Sequence, residues 1–174
     1  LSRTIAEGEA VKAAVAKYKR IFRLNTWFRF DSPFYGMGVP VKPIKKLVQA
    51  GVFGWPLKIT LGGTTGFDWK QNQWCGRTDL TPQPVPPELD YDLWLGPAPK
   101  VAYNPNRCLY KFRWFRDYSG GQVTNQGTHY LDVIQWALGQ NAPKSVSAVG
   151  GKYVVDDNRE IPDTLEVVWQ YEGP

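Results

Sequence analysis

The stretch YSGGQVTNQGTHYLDVIQWALG, Tyr118–Gly139, decides how this chain is read. Leu131, Ile134 and Leu138 recur at three- and four-residue spacing, the period of a helix with one apolar face, and Gly139 stands where a left-handed C-terminal cap belongs. The segment reads as a largely buried helix entered through Gly120 and Gly121. It carries His129, the one histidine in 174 residues. Asn125, His129 and Asp132 take neighbouring positions on one face, because side chains three or four apart stack along a helix. Gly127 stands between them and costs helix stability, which makes sense if a flat ligand ring must approach the backbone closely.

A lone imidazole in such a setting is either a satisfied structural residue or a proton-handling group. Imidazoles ordinarily titrate near neutrality, so a histidine within hydrogen-bond reach of a hydroxyl suits moving its proton. Asp132, one turn on, either fixes the histidine tautomer, binds a ligand hydroxyl, or makes a structural bond to a loop. Arg113 and Arg116 flank the glycine entry, and one of them could meet a carboxylate or phosphate substituent.

Outward from this block, Thr4 and Glu7 have capping-box spacing and Val11, Ala14, Val15 and Tyr18 form an apolar stripe, which predicts a helix from about Ile5 to Lys19. IFRLNTW, Ile21–Trp27, reads as a strand. A second helix is predicted over Val41–Ala50, with Pro43 in its first turn, Ile44 and Val48 inward and Gly51 as cap. Leu57, Ile59 and Leu61 alternate with polar or small residues, as do Tyr110, Phe112 and Trp114, and Leu165, Val167, Trp169 and Tyr171. These predict half-buried strands of a mainly antiparallel sheet. Gly36–Val41, GMGVPV, follows no convincing strand and Pro40 lacks an amide donor, so it reads as a loop rather than a phosphate cradle. Between Gly62 and Asn106 lies a long Gly-, Pro- and Trp-rich connection of a length that is usually either functional or disordered.

Composition narrows the classes. With 43% hydrophobic and 21% charged residues the chain is globular rather than disordered. No apolar run reaches the length of about 18 residues that spans a bilayer. A net charge of +5, with the basic residues dispersed among aromatics, argues against a nucleic-acid partner. Cys75 and Cys108 are too few and too far apart for a zinc pattern, so no metal is expected; their redox state stays open. Eight tryptophans are the compositional outlier, suited to stacking on sugars and equally to cores and subunit interfaces.

These blocks together resemble the glucose-fructose oxidoreductase and inositol dehydrogenase family (Gfo/Idh/MocA). Its second motif, GG, a short spacer, Asp, x, Gly, x, His, x, x, Asp, is met by Gly120, Gly121, Asn125, Gly127, His129 and Asp132, with Asn125 departing from the pattern. LSRTIAEGEAVKAAVAKYKR at the start, LVQAGVFG at Leu47–Gly54 and ELDYDLWLGPAP at Glu88–Pro99 extend the likeness. The resemblance implies an α/β chain. Residues 1–30 would be the last helix and strand of a Rossmann-like dinucleotide-binding domain. Residues 31–174 would be an α+β substrate and oligomerisation domain with an open, mainly antiparallel sheet, incomplete at both ends. In the family the segment resembling LSRTIAEGEA follows a Glu-Lys-Pro motif with a catalytic lysine. That lysine and the glycine-rich dinucleotide turn are therefore expected upstream of Leu1, and this chain alone is not expected to turn over.

The implied activity is hydride transfer between NAD or NADP and a hydroxyl carbon of a sugar, cyclitol or related polyol. By resemblance, lysine and His129 both contact the reacting hydroxyl and either carries its proton. Asn125 would orient a neighbour without ionising. Asp132, Arg29, Arg116 and Thr128 are candidate substrate contacts, and Trp94, Asn25 and Gly127 candidate cofactor contacts. The expected partners are a small sugar or polyol and further copies of the chain, joined through the open sheet face, with no membrane. Two other readings stay open: an NAD-dependent glycosidase of the same fold, and a non-catalytic sugar-binding or oligomerisation protein.

Overall fold

The computed structural model describes residues 2, 4–30, 41–61, 79–108 and 110–173. Helix α1 (Ile5–Lys17) opens on the expected capping box: the Glu7 amide donates to Thr4 Oγ1 at 3.2 Å and the Thr4 amide to Glu7 Oε2 at 2.9 Å. It buries none of its residues fully: along the expected stripe Val11 and Val15 are half-buried, and Ala14 and Tyr18 are exposed. Ile21–Trp27 is not a strand. It runs as coil with Ile21 99% exposed, because an extended segment becomes a strand only where another edge accepts its hydrogen bonds, and none of the described residues does so.

Helix α2 (Val41–Gln49) buries Val41 and Val48 and ends before Gly51, whose φ of 69° lets the chain turn away. Ile44 does not point inward as expected; it is 45% exposed, and the neighbouring Lys45 reaches over the Trp136 ring of the helix against which α2 packs. Leu57, Ile59 and Leu61 belong to a coil rather than a strand, again with no described partner edge. Of the long Gly62–Asn106 connection, residues 62–78, with Cys75, lie outside the described residues, as do Gly36–Pro40 of GMGVPV.

The remainder of that connection is packed. Helix α3 (Tyr91–Leu95) is capped by Asp90, which accepts from the Leu93 amide at 2.9 Å, and ends at Gly96 with φ 53°. Tyr91 and Leu95 form a core cluster with Cys108, flanked by Leu89, Trp94, Val101, Tyr103 and Tyr118. Asn104, fully buried, donates to the Thr81 carbonyl at 2.7 Å and accepts from the Asn106 amide at 2.7 Å, which pins the proline-rich run to this cluster. Burial, aided by neighbouring Tyr118 and Cys108, pushes the Tyr91 hydroxyl up to about 12, and burial also raises the free Cys108 thiol. Both stay neutral and unreactive.

Tyr110, Phe112 and Trp114 do not alternate along a strand. Lys111–Trp114 is a single 3₁₀ turn entered through Tyr110 at φ 49°, with the Lys111 and Phe112 amides both donating to the Cys108 carbonyl. Three aromatic residues spaced by two fit a short turn as well as a strand when the chain reverses immediately before them. A π-helical turn, Val123–Gly127, then leads into α4 (Thr128–Leu138), which ends at Gly139 with φ 71° as expected. Helix α4 is half-buried rather than largely buried, with Ala137 its one fully buried residue.

Strands β1 (Ser145–Gly151) and β2 (Thr164–Gln170) form an open antiparallel pair, with Val146 opposite Trp169 and Ala148 opposite Val167. β2 is the strand its alternation predicts. β1, SVSAVGG, went unrecognised because serine, alanine and glycine carry little β-preference and the strand is set by its partner. One face, with Val146, Ala148, Val167 and Trp169, lines an open groove of about 520 Å³ together with Gly120, Val123 and Ile161. The opposite face leaves Val149 and Val168 exposed. The chain is thus an α/β unit with a two-stranded open sheet.

The connection between the strands is tied down twice. Arg159 forks onto Asp157 with both side chains 5% exposed and lies over the Trp114 ring at 4.5 Å. Asp163 accepts from the amides of Tyr153, Val154 and Val155 at 2.7–3.0 Å. Burial raises the Asp163 carboxyl, but these bonds and the Thr164 hydroxyl outweigh it and hold it well below the ordinary carboxylate range. A depressed carboxyl contributes stability above the unfolded pKa of about 3.9 and loses it as pH falls through the folded value. In urea unfolding, Asp163→Asn should therefore be less stable than the parent at neutral pH, and the gap should close progressively below about pH 4. A gap independent of pH would remove the charge from the explanation.

Candidate functional site

Gly121 makes the site's entry. Its φ of 71° is rarely open to side-chain-bearing residues, and a Cβ there would strike Ile161 in the hairpin connection. The chain then turns through Thr124, whose hydroxyl accepts from the Gly120 amide at 3.1 Å and donates to the Gly121 carbonyl at 3.2 Å. In the π turn the Gly127 amide reaches back five residues to the Gln122 carbonyl at 2.9 Å. Such turns insert a residue into a helix and recur at functional sites. Gly127 has helical angles, φ −57° and ψ −36°, and the nearest atom a Cβ would meet is the Gln122 carbonyl oxygen at 3.5 Å. The fold itself has room for a side chain here, so the bare backbone is not required by packing.

His129 and Asp132 then project from α4 toward Trp27, Phe28 and Arg29, about a hundred residues away in sequence. Trp27 Nε1 donates to His129 Nε2 at 3.1 Å. Phe28, 6% exposed, stacks on the imidazole with centroids 4.7 Å apart and meets Tyr130 edge-on. Arg29 grips Asp132 through two parallel bonds, Nε to Oδ2 at 2.7 Å and Nη2 to Oδ1 at 2.5 Å, and lies over Trp136 at 5.4 Å. A planar fork on a carboxylate sets direction as well as distance. Three consecutive residues thus contact four positions of one helix, His129, Tyr130, Asp132 and Trp136. Trp27 and Phe28 were missed as partners of the histidine because Ile21–Trp27 was read as a strand; the adjacency of two aromatics to Arg29 was the available signal.

The other expected site residues are distributed unevenly. Asn125 donates through Nδ2 to Gln122 Oε1 at 3.0 Å, inside its own turn. Thr128 donates to the Thr124 carbonyl at 2.8 Å. Asn25 is exposed in the coil before Trp27. Arg116 is fastened to the hairpin connection, donating from its amide to Glu160 Oε2 at 2.9 Å and from Nε to the Glu160 carbonyl at 3.0 Å. Trp94 stacks on Tyr91 at 5.7 Å and meets Tyr118 edge-on at 4.9 Å, because the short α3 turns it into the Tyr91 cluster. Asp132 makes the structural bond to a loop that was one of its expected roles, each of its oxygens accepting from Arg29. Trp136 is half-buried between Arg29 and Lys45. Among the described residues, no cluster of three His, Cys, Asp or Glu side chains could hold a metal ion.

The fork is the strongest link between the two halves of the site. In a double-mutant cycle on unfolding, Arg29→Gln and Asp132→Asn should couple by about 1–2 kcal/mol, a value kept low because Arg29 is roughly a third exposed. Additive effects would show that the pair contributes nothing beyond its two members.

A family model described as "Oxidoreductase family, C-terminal alpha/beta domain" matches residues 37–169, which is well over half of the chain. No curated protein and no solved structure matches it. The matched span takes in α2, the glycine entry, all of α4 and both strands except Gln170 at the end of β2, while Trp27, Phe28 and Arg29 precede it. The motif on α4, the α/β architecture and the matched span agree, and the chain belongs to the Gfo/Idh/MocA oxidoreductase family, carrying its C-terminal alpha/beta domain.

Proposed function

We propose that this domain serves an NAD(P)-dependent oxidoreductase that moves a hydride to or from a hydroxyl-bearing carbon of a sugar, cyclitol or related polyol. The observation that carries the reading is His129, held by Trp27 and Phe28 on the helix face next to the bare backbone of Gly127. A flat ring needs close approach to backbone, and a position with helical angles, room for a Cβ and no side chain suits one. Bound nicotinamide dinucleotide supplies the hydride acceptor or donor. The residues of this chain supply the rest: His129 hydrogen-bonds the reacting oxygen, Asn125 Oδ1 orients a neighbouring hydroxyl, and the Arg29–Asp132 fork keeps α4 in register with the segment that holds the imidazole. Copies of the protein would associate through the open sheet, where Val149 and Val168 are 69% and 60% exposed.

The test uses the full-length oxidoreductase with a panel of aldoses and cyclitols and with NAD and NADP in turn. Replacing His129 by alanine should lower kcat by about 10²- to 10⁴-fold with cofactor affinity nearly unchanged. Gly127→Ala should fold at least as stably as the parent, since alanine is the better helix former by about 1 kcal/mol, yet should weaken cofactor or substrate binding. Near-normal turnover by His129→Ala on the best substrate would remove the imidazole from the reaction.

A further inference from the structure

We infer that Trp27 is a positioning residue that locks neutral His129 in its Nδ1–H tautomer, so that the imidazole meets its ligand as a hydrogen-bond donor. An indole nitrogen can only donate, and a neutral imidazole has one donating and one accepting nitrogen. Because Trp27 Nε1 donates to Nε2, that atom is the acceptor and the ring hydrogen sits on Nδ1. The contact is braced on every side the described residues provide. Phe28 stacks on the imidazole, Trp27 meets it edge-on at 5.2 Å, Trp27 and Phe28 meet edge-on at 4.4 Å, and the Arg29 fork anchors the next turn of the helix. Nδ1 makes no hydrogen bond to any described residue, and Asp132, the carboxylate one turn away, is engaged by Arg29.

The ligand class follows from the chemistry of the remaining nitrogen. An Nδ1–H is complementary to an oxygen lone pair: a carbonyl, an alkoxide, or a hydroxyl accepting rather than donating. Taken with the proposed oxidoreductase activity, on which this assignment of the ligand rests, His129 stabilises charge on the reacting oxygen, and its own lone pair, engaged by Trp27, does not take the hydroxyl proton.

The sequence contains a single histidine, so one pair of ring nitrogens appears in a long-range ¹H–¹⁵N spectrum of the untagged, labelled chain. Recorded at alkaline pH, where an imidazole is neutral, the wild-type spectrum should show hydrogen on Nδ1 and an unprotonated Nε2. Trp27→Phe retains an aromatic ring against Phe28 and removes the indole N–H; its spectrum should move toward the Nε2–H form that free imidazole side chains favour in water. A wild-type ring carrying its hydrogen mainly on Nε2, or a Trp27→Phe spectrum identical to the parent's, overturns the inference. The wild-type measurement stands even if the variant does not fold. It also needs neither substrate nor cofactor, so an Nδ1–H ring in a protein that transfers no hydride would sink the oxidoreductase reading and leave the role of Trp27 intact.

Discussion

Everything at the site depends on the docking of Trp27, Phe28 and Arg29 against α4. Phe28 supplies the apolar contact: burying a ring of that size contributes about 1.5–3 kcal/mol, and it is the one fully buried residue of the tripeptide. Apolar burial has no direction, so it cannot alone set the register of a coil on a helix. The Arg29 fork on Asp132 and the Trp27 bond to His129 provide that register, one turn apart along the helix. Without them the imidazole would keep its place on α4 but lose its orientation.

The entry to α4 shows how a fold can keep one surface bare. Gly121 is a necessity of the backbone, forced by its positive φ and by Ile161. Gly127 is not, since a methyl group would fit there. Two glycines in one motif thus have different causes, one internal to the fold and one best explained by something outside it. The π turn between them lengthens the approach to His129 by one residue and binds Asn125 to Gln122, so the amide occupies the motif's aspartate position without touching the imidazole among the described contacts.

Helices α1, α2 and α4 were legible in the sequence because their signals are local, whereas the five-residue α3 lies inside the stretch read as a long connection. Thr4 with Glu7, Pro43 with Gly51, and Gly139 after Leu138 mark boundaries through caps and breakers that act within a few residues. Strands were legible only where alternation met a partner: β2 was found, whereas Ile21–Trp27, Leu57–Leu61 and Tyr110–Trp114 share its pattern and form no ladder among the described residues. Alternation reports which faces are apolar and says nothing about whether an edge is available. The site divides the same way. His129 and Asp132 were visible from helical spacing, but the Trp27 partner, the Arg29 fork and the stacking of Trp94 on Tyr91 are tertiary facts with no local signature.

The separation of about a hundred residues between the tripeptide and its helix also orders events during synthesis. At about 5–20 residues per second, Trp27 and Phe28 are synthesised roughly 5–20 s before His129. For that interval two large aromatics are exposed on a nascent chain with no core to enter, the kind of segment that chaperones bind and that aggregates when crowded. Local helices such as α1 can form in microseconds, whereas the contacts that define the site wait for a segment made about a hundred residues later.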